Sequence, residues 1–189
     1  MTPLSRCTWA NPANPLYLDY HDHEWGVPCH DETRLFELLN LEGAQAGLSW
    51  ETVLNKRAHY RIVFDQWNAH KIAGYDAAKV AALLNDPGII RNRLKVAATI
   101  SNAQAYLQLC DEVGGLEPFL WGYVNGIPIR NRPTSSEQIP TKTTLSEQLS
   151  KELARRGFKF IGPTIVYAYL QAIGIVDDHL RSCHCGAKT

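Results

Sequence analysis

The chain has 189 residues, 45% of them hydrophobic, which is enough for one globular domain with a substantial core and excludes a disordered or fibrous protein. Lys and Arg total 19 and Asp and Glu total 19, so no global field draws the protein to nucleic acid or to a membrane surface. A nucleic-acid role therefore needs local clustering, and one modest basic cluster is present: Arg155, Arg156 and Lys159.

The first segment, MTPLSRCTWANP, has no basic region followed by an apolar run, and the expected location is cytoplasmic. Five cysteines in such a setting point to metal binding or free thiols rather than a disulfide framework. Residues 1–30 carry few helix signals, and Pro12, Pro15 and Pro28 make this an arm of loops with at most one short helix. The arm is dense in special residues: Cys7, Trp9, Tyr17, Tyr20, His21, His23, Trp25, Cys29 and His30. An ordered arm of this kind must be fastened by something.

A helix is predicted over 31–42, with Leu35, Phe36, Leu38 and Leu39 forming a wide apolar face. It runs into LEGAQAGLSW (Leu41–Trp50), where Glu42 is an isolated carboxylate followed by a loose Gly43–Gly47 segment. Ser49 is a good N-cap for a next helix starting at Trp50. A carboxylate, an amide and an indole at a glycine-bounded corner suit a pocket for a flat, hydrogen-bonding ring. The plainer alternative is a tight helix connection with a capping Ser and a core Trp.

Further helices are predicted over 49–64, 69–73, 76–84, 89–109, 116–124, 145–156, 162–174 and 177–183. The one linker-like stretch, Ile127–Thr143, is rich in Pro, Ser and Thr, and Thr144 with Glu147 forms a capping box for the helix after it. No alternating run is long enough for a strand, so the expected fold is all-α. Gln171 and Gly174 interrupt the longest apolar stretch, Thr164–Val176, which is too short to span a bilayer. The glycine-bounded turn RRGFKFIGP between two helices suits a helix–hairpin–helix, in which turn N–H groups and a helix N-terminus meet a phosphate. An ordinary helix–helix turn is the alternative.

His179 and Cys183 are four apart and on a helix would share one face, as two ligands of one ion. The arm offers Cys7 and His21 to complete a tetrahedral zinc site joining first residues to last. His23, Cys29, His30, His184 and Cys185 are rival ligands that spacing does not eliminate. Trp9, Tyr20 and Trp25 cluster in the same arm. Folded back over Gly43–Trp50, they and Trp50 would enclose a planar ligand with Glu42 at its edge. Aromatic faces and a carboxylate both prefer a cationic guest. Tryptophans that merely fill core are the alternative.

Cys7-Thr8-Trp9, DYHDHEWGVP (19–28), LFELLNLEGAQAGLSWETVLNKR (35–57), GIIRNRLKV (88–96), RRGFKFIGPTIVYAYLQAIGIVDDH (155–179) and SCHC (182–185) together closely resemble the bacterial 3-methyladenine DNA glycosylase I family, a branch of the helix–hairpin–helix glycosylases. The blocks follow in order over nearly the whole chain. The resemblance implies one glycosylase domain over 1–189, built of two helical lobes. In it, the arm 1–30 is stapled to residues 177–185 by one structural Zn²⁺ on Cys7, His21, His179 and Cys183. It implies a base pocket of Glu42, Tyr20, Trp50, Trp9 and Trp25, with Glu42 the catalytic carboxylate. DNA contacts are implied at Gln45 and Leu48, which lie against the gap left by the extruded base, and at Gly157, Lys159 and Gly162 of the hairpin. The implied partner is double-stranded DNA carrying alkylated purines, bound by a monomer with no membrane role. The implied reaction is hydrolysis of the N-glycosidic bond of 3-methyladenine and other 3-alkylated purines, leaving an abasic site in base-excision repair.

The wider superfamily places an Asp after the second hairpin helix, and Asp177 is the better positional candidate here. The reading adopted is that Asp177 caps a C-terminal helix and Asp178 orients His179. Two other functions stay open on sequence: a non-catalytic damage-binding protein on the same scaffold, and a metalloenzyme with an open zinc position.

Overall fold

The computed structural model describes residues 4–186, and these form a mostly helical protein. Helix α1 spans Pro15–His23; Asn14 caps it, its side chain accepting from the N–H groups of Leu16 and Tyr17. It is the one helix of the arm. Helix α2, Glu32–Gln45, begins at Asp31, whose carboxylate accepts from the Arg34 N–H at 2.8 Å. It is the central element and packs against α3, α7, α8 and α10. Leu35, Leu38, Leu39 and Leu41 are fully buried along it.

α2 runs further than expected, so Glu42, Gly43 and Gln45 are its last turn rather than a loose segment. A glycine is tolerated there because the turn joining α9 and α10 comes close: a Cβ added at Gly43 would lie 3.1 Å from the Phe160 Cβ. The break comes at Ala46 and Gly47, the latter at φ +78°. Ser49 then caps α3, Trp50–Leu54, as its hydroxyl accepts from Thr52 N–H at 3.2 Å. The helix predicted over 49–64 is two helices, because the chain breaks at Asn55 and Lys56 before α4, Arg57–Val63.

Helices α5 (Ala69–Ala73) and α6 (Ala77–Asn85) lie against the long α7, Arg93–Val113. α7 starts four residues later than the predicted 89, because the Asn92 side chain takes the N–H groups of Leu94 and Lys95. Gly114, at φ +93°, ends it, and α8 follows at Leu116–Gly122. α9 (Thr144–Arg155) and α10 (Pro163–Ala172) pack on each other. The capping box of α9 is Thr143 with Ser146, one residue before the expected Thr144 and Glu147; the Ser146 hydroxyl accepts from the Thr143 N–H at 2.9 Å.

Two corrections concern the end of the chain. Val176–Asp177 (β2) pairs in parallel with Ile129–Arg130 (β1), a ladder two residues long in a fold expected to have none. Residues 177–183 form no helix. Two of their backbone donors go to other segments: Leu180 N–H to the Cys7 sulfur at 3.5 Å, and Arg181 N–H to the Pro133 carbonyl at 2.8 Å. No helix among the described residues is long and apolar enough to cross a membrane.

Candidate active site

The arm folds back across α3 and α10. Asn11 and Asn14 both donate to the Glu51 carboxylate, at 2.9 and 2.8 Å. Gly26 and Cys29 donate backbone N–H groups to the carbonyls of Gln171 and Ile173. Between arm, α2, α3 and α10 a cavity of about 310 Å³ opens. Trp9, Tyr20, Trp25, Glu42, Gln45 and Trp50 all line it, so the sequence-predicted ring-and-carboxylate set is brought together. Trp9 meets Trp25 edge-on with centroids 4.9 Å apart, and Tyr20 tilts against Trp50 at 5.2 Å.

Glu42 is 4% exposed and has no hydrogen-bond or ion-pair partner among the described residues. Burial alone pushes its carboxyl up to about 8. Tyr20 is also buried, and burial next to Glu42 holds its phenol well above the ordinary range. The Trp50 Nε1–H is buried without a partner. The cavity therefore has an unpaired acid and several aromatic faces. Such a lining suits a flat polar guest.

Sequence reasoning missed Tyr17, Ile139, Ala168 and Gln171, which also line the cavity. Tyr17 stands three residues before Tyr20 on α1, a spacing that puts both on one face. Gln171 is the single amide inside the apolar α10; its Nε2 donates to Asp178 at 2.7 Å. Ile139 and Ala168 carried no signal.

A second groove of about 250 Å³ adjoins the first and shares Glu42, Gln45 and Ala168 with it. Gly47, Leu48, Thr164 and Ile165 form the rest of its wall, and Leu48 is exposed. The turn from α9 to α10 holds Gly157, Lys159 and Gly162. Gly157 has φ +95°, Lys159 and Gly162 are exposed, and Ser150 secures the turn by donating to the Ile161 carbonyl at 2.7 Å.

Behind the cavity, donor atoms of His21, His179, Cys183 and Cys185 lie within 4.8 Å of one another, all four residues buried. This buried group could hold a metal. Cys7 borders it: its N–H donates to His21 Nε2 at 3.3 Å, and burial beside Cys183 pushes its thiol up to about 12. His21 Nδ1 faces Asp22 at 2.7 Å and His179 Nδ1 faces Asp177 at 2.9 Å. A carboxylate only accepts, so His21 Nδ1 carries the proton and its Nε2, which accepts from Cys7 N–H, keeps its lone pair toward the group, as in carboxylate–histidine–metal sites; His179 Nε2 lies 3.3 Å from the His21 carbonyl. Of the rival ligands, His23 and His30 turn to Asp19 and Glu117 instead. His184 forms a second group with Asp22 and Cys185.

Asp177, not Asp178, orients His179. Asp178 accepts from Tyr167, Gln171 and Asn131, and with no helix at 177–183 Asp177 caps none. Asp177 is not among the residues lining the aromatic cavity.

The profile of the methyladenine glycosylase family matches residues 9–186. The chain belongs to that family. It is 48% identical to DNA-3-methyladenine glycosylase 1 of Escherichia coli (strain K12), with 96% of this chain and 97% of that one covered. It is 47% identical to DNA-3-methyladenine glycosylase of Haemophilus influenzae (strain ATCC 51907 / DSM 11121 / KW20 / Rd), again over 96% and 97%. The solved 3-methyladenine DNA glycosylase I of Staphylococcus aureus, a structure addressing 3-methyladenine recognition, superposes at TM-score 0.93 with 38% identity and 98% of each chain covered.

Proposed function

We propose that this methyladenine glycosylase releases 3-methyladenine, and other 3-alkylated purines, from double-stranded DNA in base-excision repair. It leaves an abasic site and acts as a monomer in the cytoplasm. The observation that carries this reading is Glu42, a buried carboxyl with no protein partner inside an aromatic cavity. A neutral base gives such a group nothing that solvent would not. A purine made cationic by N3-alkylation gives it an opposite charge and an exocyclic amine to accept from.

The chemistry asks little of the protein. Water attacks C1′, the C1′–N9 bond breaks, its electron pair neutralises the cationic ring, and the water's proton passes to solvent. The base leaves neutral, so no general acid is required. Trp9, Tyr20, Trp25 and Trp50 enclose the base, and Glu42 stabilises its charge and selects it. Exposed Leu48, with Gln45, fits the gap left by the extruded nucleotide. The turn with Gly157, Lys159 and Gly162 fits a backbone phosphate, which makes α9–turn–α10 the helix–hairpin–helix.

The buried thiol and imidazole donors fit Zn²⁺, which prefers nitrogen and sulfur in a closed tetrahedron. Cys7, His21, His179 and Cys183 would hold it, with Cys185 the neighbouring donor. When bound it supplies folding energy to the arm rather than chemistry. Incubating the protein with methylated duplex DNA and analysing for free base tests the reading: 3-methyladenine is expected in the supernatant, with intact strands carrying abasic sites. Tight lesion binding without base release would instead mark a damage-binding protein.

A further inference from the structure

Helix α7 touches neither the aromatic cavity nor its adjoining groove, yet one of its faces holds both elements assigned above to DNA. Lys95 Nζ donates to the carbonyls of Ala44 and Ala46, each at 2.7 Å. These are end carbonyls of α2, left without intrahelical partners just after Glu42. Two turns along, buried Asn102 grips the α9–α10 turn: its Oδ1 accepts from Lys159 N–H at 2.7 Å, and its Nδ2 donates to the Lys159 carbonyl at 3.3 Å and to Asn40 Oδ1 at 3.0 Å. Asn40 lies on α2, two residues before Glu42, and donates to the Phe36 carbonyl at 2.9 Å.

Positions 95, 99 and 102 share one helix face. The junction they close, between Gly43, Ala44 and Phe160, retains a void of only about 10 Å³. Apart from the Asn40–Phe36 bond within α2, each of these bonds has its partner on another element, and the groups are specific in geometry where an apolar contact would serve for burial alone.

We infer that Lys95 and Asn102 are positioning residues for lesion engagement. Through α7 they set the span between the Gly43–Leu48 corner and the hairpin turn. The extruded base and a backbone phosphate are then met by one rigid body. The inference rests on the proposed reading that both elements face DNA. Two contact points that must be satisfied together are sensitive to small displacements, with about 1 Å able to cost on the order of 10²-fold.

The test compares Lys95→Met, Lys95→Arg and Asn102→Ala with the parent in two measurements. One is single-turnover base release from methylated duplex against protein concentration, which gives a half-saturating concentration. The other is binding of free 3-methyladenine, followed by tryptophan fluorescence. Lys95→Met and Asn102→Ala are expected to raise the half-saturating concentration about tenfold or more while free-base binding stays within about twofold. Lys95→Arg, which can still donate to two carbonyls, is expected to restore most of the loss. An unchanged half-saturating concentration in a folded Lys95→Met protein overturns the inference, and so does a parallel loss of free-base binding. If Lys95→Met does not fold, Asn102→Ala carries the same comparison. Leu48→Ala separates the two levels. If it leaves half-saturation unchanged, the DNA-facing reading of the corner fails. If it weakens DNA while the Lys95 and Asn102 variants do not, only the positioning role fails.

Discussion

The Asp177 carboxylate accepts from the ring of His179 at 2.9 Å and from its backbone N–H at 3.1 Å, and takes Arg132 Nη1 at 2.6 Å on its other oxygen. Burial pushes this carboxyl up, but the hydrogen bonds from His179 and Arg132 outweigh it and bring it down to about 2. A carboxylate so occupied is not available to a sugar or a water. It fixes a histidine of the buried thiol–imidazole group.

Asp177→Asn is therefore expected to slow the chemical step less than about tenfold, under ~1.4 kcal/mol of barrier. Melting temperature should fall, since the amide can no longer accept from both ring and guanidinium as an anion does. The two effects are separated by single-turnover base release and a thermal melt. A thermally intact variant a hundredfold slower in single turnover would return Asp177 to catalysis, because losing an electrostatic term aimed at the reacting centre costs about 10²–10³.

Metal removal has a local expected outcome. The arm is anchored twice without any metal, by Asn11 and Asn14 on Glu51 and by Gly26 and Cys29 on α10. Chelation should thus lower the melting temperature and raise hydrogen exchange around Cys7 and residues 177–185, leaving α2, α7 and α10 protected. Elemental analysis of the purified protein should give one zinc per chain. Less than a tenth of that, with an unchanged melt after chelation, would remove the metal from the account.

Local chemistry made much of this legible in the sequence. Ser49 caps where a short acceptor before a helix says it should, and the aromatic arm does close over Glu42. Other features were hidden, the first two by partners distant in sequence. Gly43 reads as a helix breaker until Phe160 is seen at its α-carbon. Residues 177–183 read as helix because their spacing is helical, while their N–H groups bond to Pro133, Cys7 and Asp177. His179 and Cys183 meet through a turn rather than along a helix face, so the inferred pair survives although its geometric basis does not. Asp177 takes the role read for Asp178, which instead accepts from Tyr167, Gln171 and Asn131.

A buried ion cluster away from the cavity contributes stability that acid removes. Glu37 is 2% exposed and bonds both Arg57 and Arg61, and Arg57 also reaches Glu24. Burial pushes Glu37 up, yet the two guanidinium groups prevail and hold it below its ordinary value. A depressed carboxyl stabilises the fold above its unfolded value of 4.5 and loses that contribution as pH falls through the folded value. Glu37→Gln leaves Arg57 with Glu24 alone and takes the charge partner from Arg61, and should cost roughly 1.5–3 kcal/mol at pH 7, with most of the difference from the parent vanishing in strong acid. Denaturant melts at pH 7 and pH 3 check this. Equal stability of the two proteins at pH 7 would show the cluster to be neutral.

Glu42 behaves in the opposite sense, and the sign follows from its surroundings. Its carboxyl is raised from 4.5 to about 8, so burial holds it protonated at neutral pH. Stability from this group is complete below 4.5 and is lost as pH rises through about 8, where the unfolded chain ionises freely and the folded one must bury a charge. Glu42→Gln should accordingly be more stable than the parent near pH 9, on the order of a few kcal/mol, and no more stable near pH 4. A cationic base entering the cavity reverses the balance: its charge favours the carboxylate, so binding expels a proton. Affinity for duplex carrying N3-methylated adenine should then rise with pH up to about 8, by at most about tenfold per unit, and level off above. In Glu42→Gln the rise should disappear, and affinity at pH 8 should fall about 10–150-fold through loss of a desolvated charge-assisted hydrogen bond. Fluorescence anisotropy with lesion and undamaged duplexes across pH 5.5–9 measures both, the undamaged duplex correcting for phosphate contacts. A parent and a Gln variant with the same pH profile would mean that Glu42 is not the group reading the charge of the base.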